Sequence, residues 1–400
     1  MKILLATETL HPGGAEAFVL RLSDALQHSG HQVTIFSFYK NYYNKGFHFA
    51  NAPQSKVVHA KIPCAPFFQK LDGLFRKLNI DISFIDFFIK YSLKKSVLSN
   101  EIDIIHSHLF KTDGLCFSVA SKLGVPVIAT IHGDYLQFFK KSRSGIAISI
   151  LRYASKIKKN LNGLNQLVCI SNEQIRFFKE EFPQETHNKL TKIYNGYQGV
   201  IPPENKMLRS QLDIKADHFV FGMVSRGIPS KGWQVAIDAF LLLKDPQCHL
   251  VLVGDSQYLQ ELSLTYNYNK QIHFVGQSNS PLEWINIFDA GLLPSTYPSE
   301  SLPTVVIEYL YCGKPVISSD AGELQNMLNY ENYSAGIVIP APNGIISLAD
   351  FSKAMKSYKK NEKLYRSHKK NTSMCFSQFD MNKCLLSYLN IYKEVIYSSN

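Results

Sequence analysis

Short apolar runs alternate with longer helical patterns almost from one end of this chain to the other. That alternation constrains the fold most, because it is how parallel sheets covered by helices on both faces are written in sequence. In the first half the runs are KILLAT, VTIFSF, DIIHS, VPVIATIH, QLVCIS and LTKIY; in the second they are FVFGMVS, CHLVLVG, IHFVG, AGLLPS, PVISS and AGIVIP. Two similar sets predict two doubly wound α/β domains, 1–200 and 201–375. The boundary is marked by NGYQGVIPPENK (195–206), where glycine, paired prolines and polar residues interrupt the pattern. A helix-like stretch follows within 376–400, and its own pattern allows it to pack on either domain. At 400 residues the chain exceeds one ordinary core, and 45% hydrophobic with 19% charged residues excludes a disordered chain.

A formal net charge of +11 and a pI near 9.1 call for an anionic partner: a nucleotide, a nucleic acid or an anionic membrane surface. The seven cysteines are scattered singly without a CxxC pair, and Cys169 and Cys248 fall in apolar runs. They read as reduced structural thiols of a cytosolic protein. The opening MKILLATETLHPGG lacks the length and cleavage site of a secretory signal. No stretch approaches the roughly 18 apolar residues that span a bilayer, so contact with a membrane would be peripheral. One segment, FFQKLDGLFRKLNIDISFIDFFIKYSLKK (67–95), mixes aromatic residues, isoleucine and lysine. It reads either as a basic helix lying in a membrane interface or as one or two core-facing helices with solvated lysines.

In open α/β sheets ligands bind beyond the carboxyl ends of the strands. The residues following the apolar runs are Gly13, Gly14, His106, His108, His132 with Gly133, Ser171 and Asn195. In the second half they are Arg226, Gly254 with Asp255, Gly276, Glu300 and Asp320. HPGGAE opens a helix whose apolar positions Phe18, Leu22 and Leu26 recur every fourth residue. Its glycines admit a phosphate at the helix N-terminus, or form a simple turn. In SRGIPSKGW, Arg226 and Lys231 flank a turn and suit a diphosphate, the arginine as a fork and the lysine as a compact charge.

The most informative stretch is PSESLPTVVIEYLYCGKPVISSDAG (298–322), with Glu300 and Glu308 eight residues apart. Pro303 suits the first turn of a helix, so Glu300 is expected in the preceding loop. The free N–H groups around Leu302, Pro303, Thr304 and Val305 then suit phosphate oxygens. Glu308, surrounded by apolar residues, is expected to be a buried carboxylate accepting bonds from a ribose diol, with Glu300 towards a sugar. His132, ending a first-half strand, is the acid/base candidate, with a hydrogen-bonded structural histidine as the alternative. His106 and His108 have no cysteine or carboxylate at ligand spacing, so no zinc site is read. The triplet EID (101–103) is expected to cap the strand DIIHS.

The Glu-x7-Glu stretch, followed by YLYCGKPVISSDAG and preceded by Arg226 and Lys231, resembles the retaining glycosyltransferase family 4. HPGGAE, DIIHSHLF, ATIHGDY, CISNEQ, IYNG, LVGD and FVGQ occur in that family's order. The resemblance implies a GT-B fold, with two Rossmann-like doubly wound domains facing each other across a cleft. The first would bind the acceptor and the second the nucleotide sugar, with the tyrosine-bearing terminal helix crossing back to the first. It implies sugar transfer from a UDP- or GDP-sugar with retention at the anomeric carbon, without cofactor or bound metal. Arg226 and Lys231 would neutralise the leaving diphosphate. Glu300 would hold the donor sugar's hydroxyls, Glu308 the ribose, Gly14 the phosphate side and His132 the reacting sugar. Leu302, Pro303, Thr304 and Gly276 complete the donor-binding set, and no protein nucleophile is assigned. Two departures stand out: Tyr309 replaces the family's usual small residue, and AGELQN only partly matches its glycine pair.

The leading expectation is a bacterial glycosyltransferase at the inner membrane face, building a surface polysaccharide such as lipopolysaccharide or capsule, or a lipid-linked glycan. An epimerase or hydrolase of the same fold would turn over donor without acceptor. A basic nucleic-acid-binding protein would need clustered cations with aromatic platforms, and the basic residues here are spread.

Overall fold

The protein is described by a computed structural model covering residues 1–400 except 79, 81, 134, 136–157, 204, 205 and 400. The omitted positions include two of the aromatic-basic segment, one of ATIHGDY and two of the inter-domain stretch. The chain divides into two compact units: Met1–Gln198 together with Asp380–Asn400, and Gly199–Phe379.

In the first unit, seven strands are β1 (Lys2–Thr7), β2 (Gln32–Ser37), β3 (Lys56–His59), β4 (Ile104–His108), β5 (Val127–Ile131), β6 (Gln166–Cys169) and β7 (Leu190–Lys192). Their order is β3-β2-β1-β4-β5-β6-β7, every neighbouring pair parallel. The near-continuous apolar runs follow from burial on both faces. Leu4 and Ala6 of β1 join a core with Ile89 and Val119 from the helices Phe84–Ser99 and Phe110–Leu123. Ile3 and Leu5 point the other way, to a core shared with the helices Gly14–His28 and Met381–Ser399.

The terminal helix therefore packs on the first sheet, which its own pattern had left open. Tyr392 OH meets His106 Nδ1 at 2.7 Å and Tyr388 OH meets Thr130 Oγ1 at 2.7 Å, while His106 Nε2 lies 2.7 Å from the same threonine oxygen. Both tyrosines are fully buried, so their hydroxyls need these partners.

In the second unit the main sheet comprises β8 (Phe219–Val224), β9 (Cys248–Val253), β10 (Ile272–Gly276), β11 (Ala290–Leu293), β12 (Val316–Ser319) and β15 (Gly336–Ile339). The order is β10-β9-β8-β11-β12-β15, again wholly parallel. A short antiparallel hairpin, β13 (Asn329–Tyr330) with β14 (Tyr333–Ser334), stands apart. Phe221 and Met223 meet Trp233, Ile237, Phe351 and Met355 in the core. Both sheets are thus doubly wound. Each has its topological switch beside its first strand, between β1 and β4 and between β8 and β11. Strand β3 and the hairpin are additions to the elements expected from sequence, because runs this short and polar carry little period-two signal. Among the described residues no helix is long and apolar enough to cross a membrane.

Candidate active site

The second unit's switch point gathers the charged residues of the sequence reading. After β8 the chain turns through Pro229–Lys231 into the helix Trp233–Leu241. Gly232 makes that turn possible, with φ +84° and a position where a β-carbon would lie 1.9 Å from the Pro294 carbonyl oxygen. The close approach brings the Lys231 loop against the loop after β11, and Thr296 N donates to Ser230 O at 2.8 Å.

Lys231 Nζ forms an ion pair with Glu300 Oε2, and Ser295 Oγ donates to the same oxygen at 2.7 Å. Lys231 and Glu300 are 7% and 8% exposed. Two charges so far from water persist because each is paired, and removing one partner of such a pair costs roughly 3–5 kcal/mol. Tyr297 N donates to Ser295 Oγ at 3.2 Å. The Tyr297 ring lies 4.9 Å from Lys231 Nζ and 5.3 Å from the Arg226 guanidinium, so both cations rest on one aromatic ring. Arg226 is exposed, but its carbonyl accepts from Trp233 Nε1 at 3.0 Å, which anchors the backbone. The loop after β12 closes the other side. Gly322, at φ +57°, would place a β-carbon 1.7 Å from the Glu300 carbonyl oxygen, and Glu323 N donates to Ser301 O at 3.0 Å.

Two expectations change here. The helix begins at Thr304, with Pro303 extended at its cap rather than in the first turn, and no side chain caps it. Glu308 is half-buried and Glu300 is the buried carboxylate, so the site's buried charge sits in the loop and not on the helix. The apolar neighbours of Glu308 in sequence point to other faces of the helix: Val306, Ile307, Tyr309 and Leu310 are the buried positions. Tyr309 fills the core over Gly291, where a β-carbon would lie 2.4 Å from its ring, and its hydroxyl accepts from Val224 N at 2.8 Å. Leu302 and Pro303 are buried and Thr304 half-buried. Gly276 ends β10 at φ +81°, and its carbonyl accepts from Gly254 N at 2.9 Å.

Gly14 and His132 belong to the first unit. Gly14 is exposed and opens the helix Gly14–His28, and Thr9 Oγ1 donates to Glu16 Oε1 at 2.9 Å in that helix's first turn. His132 Nε2 lies 3.0 Å from His108 Nδ1, the rings stacked at 5.3 Å, with Phe18 at 5.7 Å. Burial pushes the His132 imidazolium down to about 3 and holds His106 and His108 well below the ordinary histidine range. These rings are neutral near pH 7. His132 is a neutral hydrogen-bonding group there, beside His108.

Sequence reasoning missed Ser295 and Tyr297, which lie in the loop after β11, and noted Gly322 only within AGELQN. It also missed Glu8 and Asp113 in the first unit. Burial raises the Glu8 carboxyl above its usual range, partly offset by Lys111, whose backbone N donates to Glu8 Oε1 at 3.3 Å. Burial lifts Asp113 to about 8, against the hydrogen bonds of Ser107 and Tyr135, each at 2.6 Å. Glu101 pairs with Lys2, and Asp103 accepts from Lys2 N at 2.7 Å, so EID ties the start of β4 to β1.

Residues 12–198 match the family model described as Glycosyltransferase Family 4, and residues 204–373 match Glycosyl transferases group 1. An uncharacterized glycosyltransferase of Methanocaldococcus jannaschii is 25% identical over 76% of this chain and 79% of its own length. A UDP-Gal:alpha-D-GlcNAc-diphosphoundecaprenol alpha-1,3-galactosyltransferase of Escherichia coli is 28% identical over 57% of this chain and 60% of its own. Among solved structures, Anabaena HepE in complex with UDP superposes with a TM-score of 0.76 at 18% identity, covering 98% of this chain and 100% of that one.

Proposed function

The chain belongs to the group 1 glycosyl transferases, with a family 4 first half, and from that premise we propose that it transfers a sugar, with retention, from a UDP- or GDP-sugar to a lipid-linked or glycan acceptor. The observation that carries this reading is the second unit's switch point, where Lys231 pairs with Glu300 and shares the Tyr297 ring with Arg226.

When the glycosidic C–O bond of the donor breaks, negative charge grows on the departing diphosphate. An ammonium has three donors and the Glu300 bond uses one, so Lys231 can hold the carboxylate and a phosphate oxygen together. Arg226 adds a planar fork beside it. These fixed cations supply the electrostatic stabilisation, and no metal is invoked. Glu300, oriented by Lys231 and Ser295, holds the donor sugar's hydroxyls through its remaining lone pairs. Glu308 accepts from the ribose diol, and the uncapped start of Thr304–Tyr311 takes phosphate oxygens.

The E. coli relative is named for UDP-Gal and a diphosphoundecaprenol acceptor, and the HepE structure holds UDP. They support a uridine donor and a lipid-linked acceptor in surface glycan synthesis. Seven free cysteines, among them five buried, suit work on the cytoplasmic face of the cell membrane.

The test is calorimetric titration with UDP and with GDP in EDTA, repeated on Glu308→Ala. One nucleotide should bind one site, and the variant should bind it roughly 10- to 100-fold more weakly, the worth of one hydrogen bond to a charged acceptor. Absence of binding by either nucleotide would overturn the donor assignment. Donor turnover at equal rate without any acceptor would replace transfer by hydrolysis.

A further inference from the structure

The helices Ala65–Lys77 and Phe84–Ser99 of the first unit each carry an outward stripe that the site above does not use. On the second helix, Ile85, Ile89, Leu93 and Val97 recur every fourth residue and enter the core. The opposite stripe, Phe87, Tyr91, Lys94 and Leu98, keeps helical spacing and faces solvent, with Phe87 62% and Tyr91 65% exposed. On the first helix Phe67, Lys70, Leu74 and Lys77 repeat the arrangement, with Phe67 62% exposed. A chain of ring contacts joins the stripes: Phe67 to Phe68 at 5.3 Å, Phe68 to Phe88 at 5.1 Å and Phe88 to Phe87 at 5.6 Å. Large exposed apolar patches of this kind mark interaction surfaces.

Among the described residues, the exposed charge along these two helices has one sign. Lys70, Arg76, Lys77, Lys94 and Lys95 are exposed. Among the described residues 65–99 the carboxylates are Asp72 and Asp86, and both are engaged elsewhere. Asp72 is buried and accepts from Ser83 Oγ at 2.7 Å, Phe84 N at 2.8 Å and Ile85 N at 3.2 Å, which closes the second helix's N-terminus. Asp86 pairs with Lys111 at 3.0 Å.

We propose that this two-helix face docks the protein on an anionic lipid bilayer, its rings and leucines entering the interface and its cations lying among headgroup phosphates. Cations alternating with rings and aliphatic side chains along both helices fit a charged plane with an apolar interior. A nucleic acid would leave Leu74 and Leu98 without a counterpart. Docking also has a route to the ligand end of the sheet, because Lys111 links Asp86 on the docking helix to Glu8 just beyond β1. A lipid-linked acceptor held in the bilayer would thus arrive beside that end; this last step rests on the function proposed above, whereas docking itself does not.

Sedimentation of the full chain with vesicles of phosphatidylcholine alone, and of phosphatidylcholine with phosphatidylglycerol, tests the proposal. The protein should sediment with the anionic vesicles only, and less so as salt rises. Phe67→Ser with Phe87→Ser should lower the partition at least tenfold, and Lys70→Gln and Lys94→Gln about fivefold each. Thermal unfolding and nucleotide titration should not change, because all four side chains are exposed and none belongs to the donor-binding set. Equal binding to both vesicle types, no binding to either, or unaltered binding by the ring variant would overturn docking. So would a wild-type dimer that the ring variant dissociates, since the face would then join two copies. Vesicle binding without any nucleotide binding would leave docking standing and remove the donor reading instead.

Discussion

A carboxylate out of reach of water must find a counter-charge or keep its proton, and this protein does both. Glu300 has its counter-charge in Lys231, with Ser295 donating to the same oxygen. Asp113, fully buried with two hydroxyl donors and, among the described residues, no cation paired with it, holds its proton until about pH 8. The sign of the resulting pH dependence follows directly. Between roughly pH 4 and pH 8 the folded chain keeps a proton that the unfolded chain has lost, so Asp113 makes stability fall as pH rises through that window and level off above it. Asp113→Asn should flatten this slope and melt higher than wild type at pH 8 relative to pH 5, measured by thermal unfolding across that range. An unaltered slope would mean that Asp113 is ionised throughout. Glu300 was legible as a candidate residue from its spacing to Glu308. Which of the two is buried was not, because the helix turns Glu308 to its half-buried side while Val306, Ile307, Tyr309 and Leu310 take the core.

At the scale of elements, the strand-helix alternation was readable because each strand of a doubly covered sheet must be apolar on both faces, and the twelve runs of the sequence analysis contain strands of the two sheets. Strand β3 escaped because only its neighbour β2 and adjacent side chains define it. The loops escaped for a different reason: what they do depends on what they touch. Gly322 is a case in point, since its positive φ and its approach to the Glu300 carbonyl both come from a neighbouring loop. Gly322→Ala should cost more than the roughly 1–3 kcal/mol of backbone strain, because its β-carbon also meets the Glu300 carbonyl, and abolish turnover by displacing Glu300. Gly344 has φ +74° but nothing within 4 Å of its β-carbon position. Gly344→Ala should therefore pay the backbone term alone and keep donor binding, and paired unfolding and nucleotide titrations would separate the two effects. Equal losses in both variants would refute the role given to the Gly322 contact.

At the scale of the whole molecule, the chain returns after Phe379 to complete its first unit. Tyr388, Tyr392, Ile391 and Val395 bury themselves against the sheet that begins at Lys2. A chain ending at Phe379 should leave that core open, so amides of β1 and β4 should lose hydrogen-exchange protection while those of β8 and β9 retain it. Uniform loss in both sheets would show that the two units do not hold their structure separately. By itself the sequence determined the α/β class, the two doubly wound sheets and the positions from which charged residues reach the strand ends, because periodicity and strand termini are local properties of the chain. Tertiary structure alone decided that Lys231 closes on Glu300 over Tyr297, that His132 stands neutral beside His108, and which sheet the last helix covers. Those outcomes depend on burial and on partners tens to hundreds of residues away, and no local pattern records them.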